Sequence, residues 1–125
     1  MRSFKEMRMA LLAIAMSPLL LLTTPAIAEP SAAELLKSLE SKDAGVRMLA
    51  EIALTNLAFG ISWANAQVKS KGQPAIYCAP DDISLQGDQI ADILRRGVMA
   101  QPFLADAYAG QAMLAALQRT FPCKR

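Results

Sequence analysis

Asp88 and Asp92 stand four residues apart, the spacing that places two carboxylates on one face of a helix. Paired carboxylates do acid–base work only beside a reacting group. No nucleophile or aromatic cleft pattern flanks this pair. A solvated face near a helix start, where negative charge is favoured, accounts for it better. Asp81, Asp82 and Asp88 have the oxygen atoms for a divalent cation. They lack the alternation and closing Glu of a calcium loop and fit a capped turn instead. The chain has no His. That removes Ser–His and Cys–His activation and the commonest transition-metal ligand. The expectation is a protein that is not an enzyme, with no catalytic residues, no metal and no cofactor. Trp63, Tyr77 and Tyr108 offer rigid contact area, but aromatic side chains in a small domain more often serve packing.

The compartment comes from the first 28 residues. Arg2, Lys5 and Arg8 make a basic start, Met9 to Leu22 is uncharged and apolar, and Ala26-Ile27-Ala28 is the small-x-small pattern of a cleavage site. The segment 1–28 reads as a secretory signal cleaved before Glu29. An uncleaved anchor is the rival, because residues 9–28 carry no charge, but Pro18 and Pro25 oppose a spanning helix. The expected working domain is 29–125. Of the 13 basic and 11 acidic residues, Arg2, Lys5, Arg8 and Glu6 lie in the signal, which leaves ten of each and no net charge. Nucleic acid is not an expected partner without a basic patch. Both cysteines lie in the expected exported part; two cysteines in a small exported domain are most often one disulfide, with two buried free thiols as the alternative. Closing the loop from Cys78 to Cys123 contributes about 4 kcal/mol by loop entropy.

The elements that would hold these residues are helical. Ser31 with Glu34 has the form of a capping box before Leu35, Leu36 and Leu39. Asp43 is placed to cap a second helix over 44–68. Val46, Leu49, Ala50, Ala53, Leu57, Gly60, Ile61, Ala64 and Val68 form its first apolar stripe. Met48, Ile52, Phe59 and Trp63 form a second, a candidate dimer surface if the core does not cover it. Gly60 in mid-helix suggests a close helix crossing or a bend. Residues 69–83, with Gly72, Pro74 and Pro80, form a loop longer than most connections. It is either a wide connection or a functional segment, with Gln73, Tyr77 and Asp81 as candidate partner contacts. A third helix starting at Ser84 or Asp82 buries Leu85, Ile90, Ile93, Leu94, Gly97 and Val98. A fourth starts at Gln101-Pro102 and ends at Phe121-Pro122. No strand-like alternation occurs. The fold class is all-α: a compact four-helix domain with one disulfide.

From Gly60 onward the chain resembles the type VI secretion amidase immunity proteins of the Rap/Tai family. The resemblance rests on Tyr77-Cys78-x-Pro80, a helix opening near Ser84-Leu85, Pro102 before the last helix, and Ala115-Ala116-Leu117 leading to Phe121-Pro122-Cys123. Many members carry an earlier cysteine pair, around Leu39 and Leu57 here, which this chain lacks. The resemblance implies a periplasmic, all-helical, often dimeric immunity protein. Such proteins bind peptidoglycan amidase effectors of papain-like type and occlude the cleft. Contact loops vary within the family, so no inhibitory residue is carried over. The alternatives in other classes are an acid-stress-type periplasmic chaperone and an orphan helical domain with another binding role.

Overall fold

A computed structural model describes residues 28–124, and the expected signal 1–28 lies almost wholly outside them. Four helices run in chain order: α1 (Ala32–Leu39), α2 (Ala44–Ser70), α3 (Gly87–Ala100) and α4 (Ala109–Thr120), with a 3-10 turn at Pro102–Ala105. Cys78 and Cys123 are disulfide-bonded, their Cα atoms 4.9 Å apart. The domain is all-α with one disulfide, and among the described residues the only β feature is an isolated bridge between Ser31 and Tyr108.

The helix starts follow from the residues there. Ser31 accepts from the Glu34 N–H while the Glu34 carboxylate accepts from the Ser31 N–H at 2.9 Å, which satisfies two orphan donors of α1 reciprocally. Asp43 accepts from the Gly45 and Val46 N–H groups at 2.8 and 3.1 Å and starts α2. No side chain of Tyr108 caps α4. Instead the Glu29 carboxylate, 81 residues earlier, accepts from the Gly110 N–H at 2.7 Å, where the helix dipole favours an anion. Two backbone bonds, Ala32 N–H to Ala107 and Ala109 N–H to Pro30, tie the same segment to α4.

Leu54, Leu94, Met113 and Leu117 are the largest fully buried side chains, so α2, α3 and α4 meet at the centre and Ala32 and Leu35 of α1 close one side. The α3–α4 pairing is the most extensive. At its crossing, a Cβ on Gly97 would stand 2.6 Å from the Ala116 Cβ. Only glycine permits that approach. Among the described residues, every buried core residue falls between Ala32 and Leu117.

Several expected boundaries and faces are corrected. The third helix starts at Gly87, not at Asp82 or Ser84, with Gln86 at its cap. The fourth is interrupted: Pro102 opens a single 3-10 turn, the chain bends through Asp106 and Ala107, and α4 starts at Ala109. On α2 the inward line is Ala50, Leu54, Ala58 and Asn65, with Leu57, Ile61 and Val68 half-buried. Val46, Leu49, Ala53, Gly60 and Ala64, expected inside, are exposed. Among the described residues no atom lies within 4 Å of where a Gly60 Cβ would stand, so none of the described helices makes the close crossing offered as one reason for that glycine.

Candidate functional site

The segment that joins α2 to α3, residues 71–86, is built from the end of α2 outward. Gly72 takes a φ of +70°, a conformation only glycine adopts without strain. Its N–H donates to the Lys69 carbonyl and the next N–H, of Gln73, donates to the Val68 carbonyl. This pair of bonds is a Schellman stop, and it satisfies carbonyls that the helix end would otherwise orphan. The chain then turns back along α2.

Asn65 holds the returning strand of chain. Its Nδ2 donates to the Tyr77 carbonyl at 2.9 Å, and its Oδ1 accepts from the Ile76 N–H at 2.7 Å. One buried amide therefore replaces the backbone partners that residues 76 and 77 lack. From the other side, the Gln118 Nε2 donates to the Ile76 carbonyl at 3.2 Å and the Cys78 N–H donates to the Phe121 carbonyl at 2.9 Å. The disulfide closes the same junction. Residues 76–78 are thus fixed to both α2 and α4. Beyond them the Ile83 N–H bonds the Pro80 carbonyl in a turn. Gln73, Pro74, Pro80, Asp81 and Asp82 remain exposed.

The sequence candidates separate accordingly. Gln73 and Asp81 sit in the open on this loop. Lys69 Nζ lies 3.6 Å from an Asp81 oxygen, with both side chains largely in water, where such a pair contributes little. Tyr77 corrects the expectation of a contact residue: it is 5% exposed. Its hydroxyl is 2.8 Å from the Ser62 hydroxyl, and its ring lies 6.4 Å from that of Phe121. It packs the loop against the domain. Asp88 and Asp92 are exposed on α3, and Asp92 pairs with Arg96 at 2.9 Å. Among the described residues no three His, Cys, Asp or Glu side chains come together as a metal site.

Two concavities border α2. One, of about 640 Å³, lies between α1, α2 and α3 and is lined by Leu39, Glu51, Ile52, Thr55, Asn56, Asp88 and Arg95 among others. The other, of about 280 Å³, lies under the loop and is lined by Phe59, Ser62, Tyr77, Pro80, Ile83 and Leu85 among others. Met48, Ile52, Phe59 and Trp63, the candidate dimer surface, are all exposed along the outer face of α2.

Sequence reasoning missed Asn65 as the residue that orders the loop. A signal was present. Asn65 stands seven residues, about two helical turns, beyond Ala58 on the line Ala50, Leu54, Ala58 and is the one polar side chain of the buried set, and a polar group in a buried line must find partners.

No family model matches the chain, and no curated protein or solved structure matches it.

Proposed function

We propose that the chain is a periplasmic, non-enzymatic inhibitor of the immunity type, which binds a peptidoglycan amidase effector and blocks its cleft. The observation that carries this reading is the loop 71–86. It is anchored by Asn65, Gln118, the Phe121 carbonyl and the Cys78–Cys123 bridge, yet presents Gln73, Asp81 and Asp82 to solvent. A protrusion already held in one shape loses little conformational entropy on binding. Blocking a cleft needs shape and polar contacts and no reactive group, which agrees with a chain without His. The export signal read in residues 1–28 supports the same compartment as a peptidoglycan enzyme.

The acid-stress chaperone reading has less support. Such a chaperone opens when buried carboxylates protonate. Among the described residues, Asn65 is the one buried polar side chain and no carboxylate is buried.

The test mixes residues 29–125 with a cysteine-type amidase encoded beside the gene and follows peptidoglycan turnover. The expected result is stoichiometric inhibition, weakened by Gln73→Ala and Asp81→Lys without a change in melting temperature. Unimpeded turnover at stoichiometric excess overturns the inhibitor reading. Inhibition unchanged by both substitutions moves the contact off this loop.

A further inference from the structure

Arg95 and Arg96 are neighbours on α3 in different surroundings. Arg96 is exposed and pairs with Asp92, one turn back, at 2.9 Å. Arg95 is half-buried, with Ala91 one turn back and Met99 one turn on. Among the described residues the ion pairs are Lys69–Asp81 and Asp92–Arg96, so no described carboxylate sits on Arg95. A guanidinium partly withdrawn from water costs free energy unless an anion pairs with it. Arg95 lines the concavity of about 640 Å³ between α1, α2 and α3. We infer that this groove binds a short free peptide of two or three residues, its carboxylate on Arg95 and its ammonium on the acidic side chains Asp88 and Glu51.

Glu51 and Asp88 line the same groove and are outside both ion pairs. Arg47 stands one turn before Glu51, but its guanidinium donates to the Ser41 carbonyl instead. The groove therefore presents both signs of charge with neither spent on the other. Asp88 and Arg95 are seven residues apart on one stripe of α3. At roughly 1.5 Å per residue that is about 10 Å along the helix axis. Two or three extended residues span roughly 7–11 Å, so the charged ends of a dipeptide or tripeptide match the spacing.

The charge pattern selects this occupant over simpler ones. A phosphate or a nucleic acid would gain Arg95 and meet two carboxylates. A metal cation would gain the carboxylates and meet a guanidinium. Only a ligand with both signs, held apart, is matched at each end. Arg95 suits the carboxylate end because its planar fork takes a carboxylate with two parallel hydrogen bonds.

Between the charges the walls suit the middle of a peptide. Ile52 on α2 and Ala91 on α3 give apolar surface for a side chain. Thr55 and Asn56 add a hydroxyl and an amide, which can donate to a peptide carbonyl and accept from a peptide N–H. The Thr55 hydroxyl stands 3.9 Å from where a Gly87 Cβ would be, at the Asp88 end of α3. The volume falls within the roughly 300–1,000 Å³ of small-ligand sites, which are mostly apolar with a few placed polar groups. The walls come from α1, α2 and α3 and not from the loop 71–86, so the inference does not depend on the inhibitor reading.

The test titrates the purified, isotope-labelled protein with the free tripeptide alanyl-leucyl-alanine and follows its amide resonances. The expected result is saturable shifts at Ile52, Thr55 and Ala91 with a Kd on the order of 0.1–1 mM. Acetylating the peptide's ammonium or amidating its carboxylate should each weaken binding roughly tenfold, because one charge-assisted contact is lost. Arg95→Gln should weaken the free peptide to the same extent and leave the amidated one as it was, whereas Arg96→Gln should change neither. No saturable shift at about 10 mM peptide overturns the inference. So do blocked peptides that bind as well as the free one, acetate that binds as tightly, or shifts confined to residues outside the groove. Equal losses of free and amidated peptide on Arg95→Gln take the carboxylate off Arg95 and overturn the assignment.

Discussion

The two sides of α2 have nearly the same kind of residue and opposite surroundings. Inward, Ala50, Leu54, Ala58 and Asn65 are buried among α1, α3 and α4. Outward, Leu49, Ile52, Phe59 and Trp63 meet solvent. Each side contains one Asn: Asn65 is saturated by the backbone of the loop, and Asn56 is exposed, with no hydrogen bond to a side chain or loop among the described residues. A similar contrast holds for two mid-helix glycines. Gly97 lies against Ala116, whereas none of the described residues faces Gly60. Apolar periodicity reports that a side of a helix is to be covered; it does not report by what.

The largest expected effect comes from the central leucine. Leu54→Ala should cost about 2–5 kcal/mol, since the cavity forms where α2, α3 and α4 meet. Leu49→Ala, measured where the chain is monomeric, should stay within about 0.5 kcal/mol. Urea denaturation of the two variants checks the contrast, and equal losses would break it.

The amides come next. Asn65→Ala leaves the Ile76 N–H and the Tyr77 carbonyl without their partner, and each buried group left unpaired costs about 1–3 kcal/mol. Hydrogen exchange should show faster exchange at Ile76 and Tyr77 than elsewhere. Asn56→Ala should leave both exchange and monomer stability as they are.

The glycines differ in sign. Gly97→Ala pushes a methyl into Ala116, and overpacking of about 1–3 kcal/mol outweighs the helix-propensity gain. Gly60→Ala meets no atom and should stabilise the monomer by about 0.5–1 kcal/mol. Thermal melts of the pair test this, and a loss at both positions would mean that Gly60 faces a neighbour within the chain.

The smallest effect lies outside both sides of α2 and serves as their control. The backbone N–H of Ser31, and then its hydroxyl, hold the Glu34 carboxyl below the ordinary glutamate value of 4.5. A carboxyl with a lowered folded-state pKa contributes stability above its unfolded value, and that contribution disappears as the pH falls through the lowered one. Stability measured from pH 5 downward should therefore carry a small term that Glu34→Gln removes, with the α2 contrasts unaffected.

The starts of α1 and α2 were legible because they are local. Ser31 with Glu34, and Asp43 alone, carry their own hydrogen-bonding partners within three residues. The disulfide was legible from the count of two cysteines in a small domain. The break before α4 was not, because Pro102 suits both a 3-10 turn and the first turn of an α-helix. The candidate contacts were half legible. Composition marks residues 69–83 as loop, against 71–86 in the structure, but the burial of Tyr77 depends on Ser62 and Phe121, 15 and 44 positions away in the chain.

By itself the sequence determined that the domain is helical, where α1 and α2 start, that the segment after α2 is irregular, and that Cys78 meets Cys123. These depend on backbone chemistry, residue periodicity and a count of two. The tertiary structure decided which side of α2 faces inward, that Asn65 orders the loop while Tyr77 is buried beneath it, and that Gly97 rather than Gly60 marks the close crossing. A helix that is apolar on both sides has no internal preference between them. The choice falls to the side whose small and branched residues fit α3 and α4, and that fit exists only once all three helices are packed.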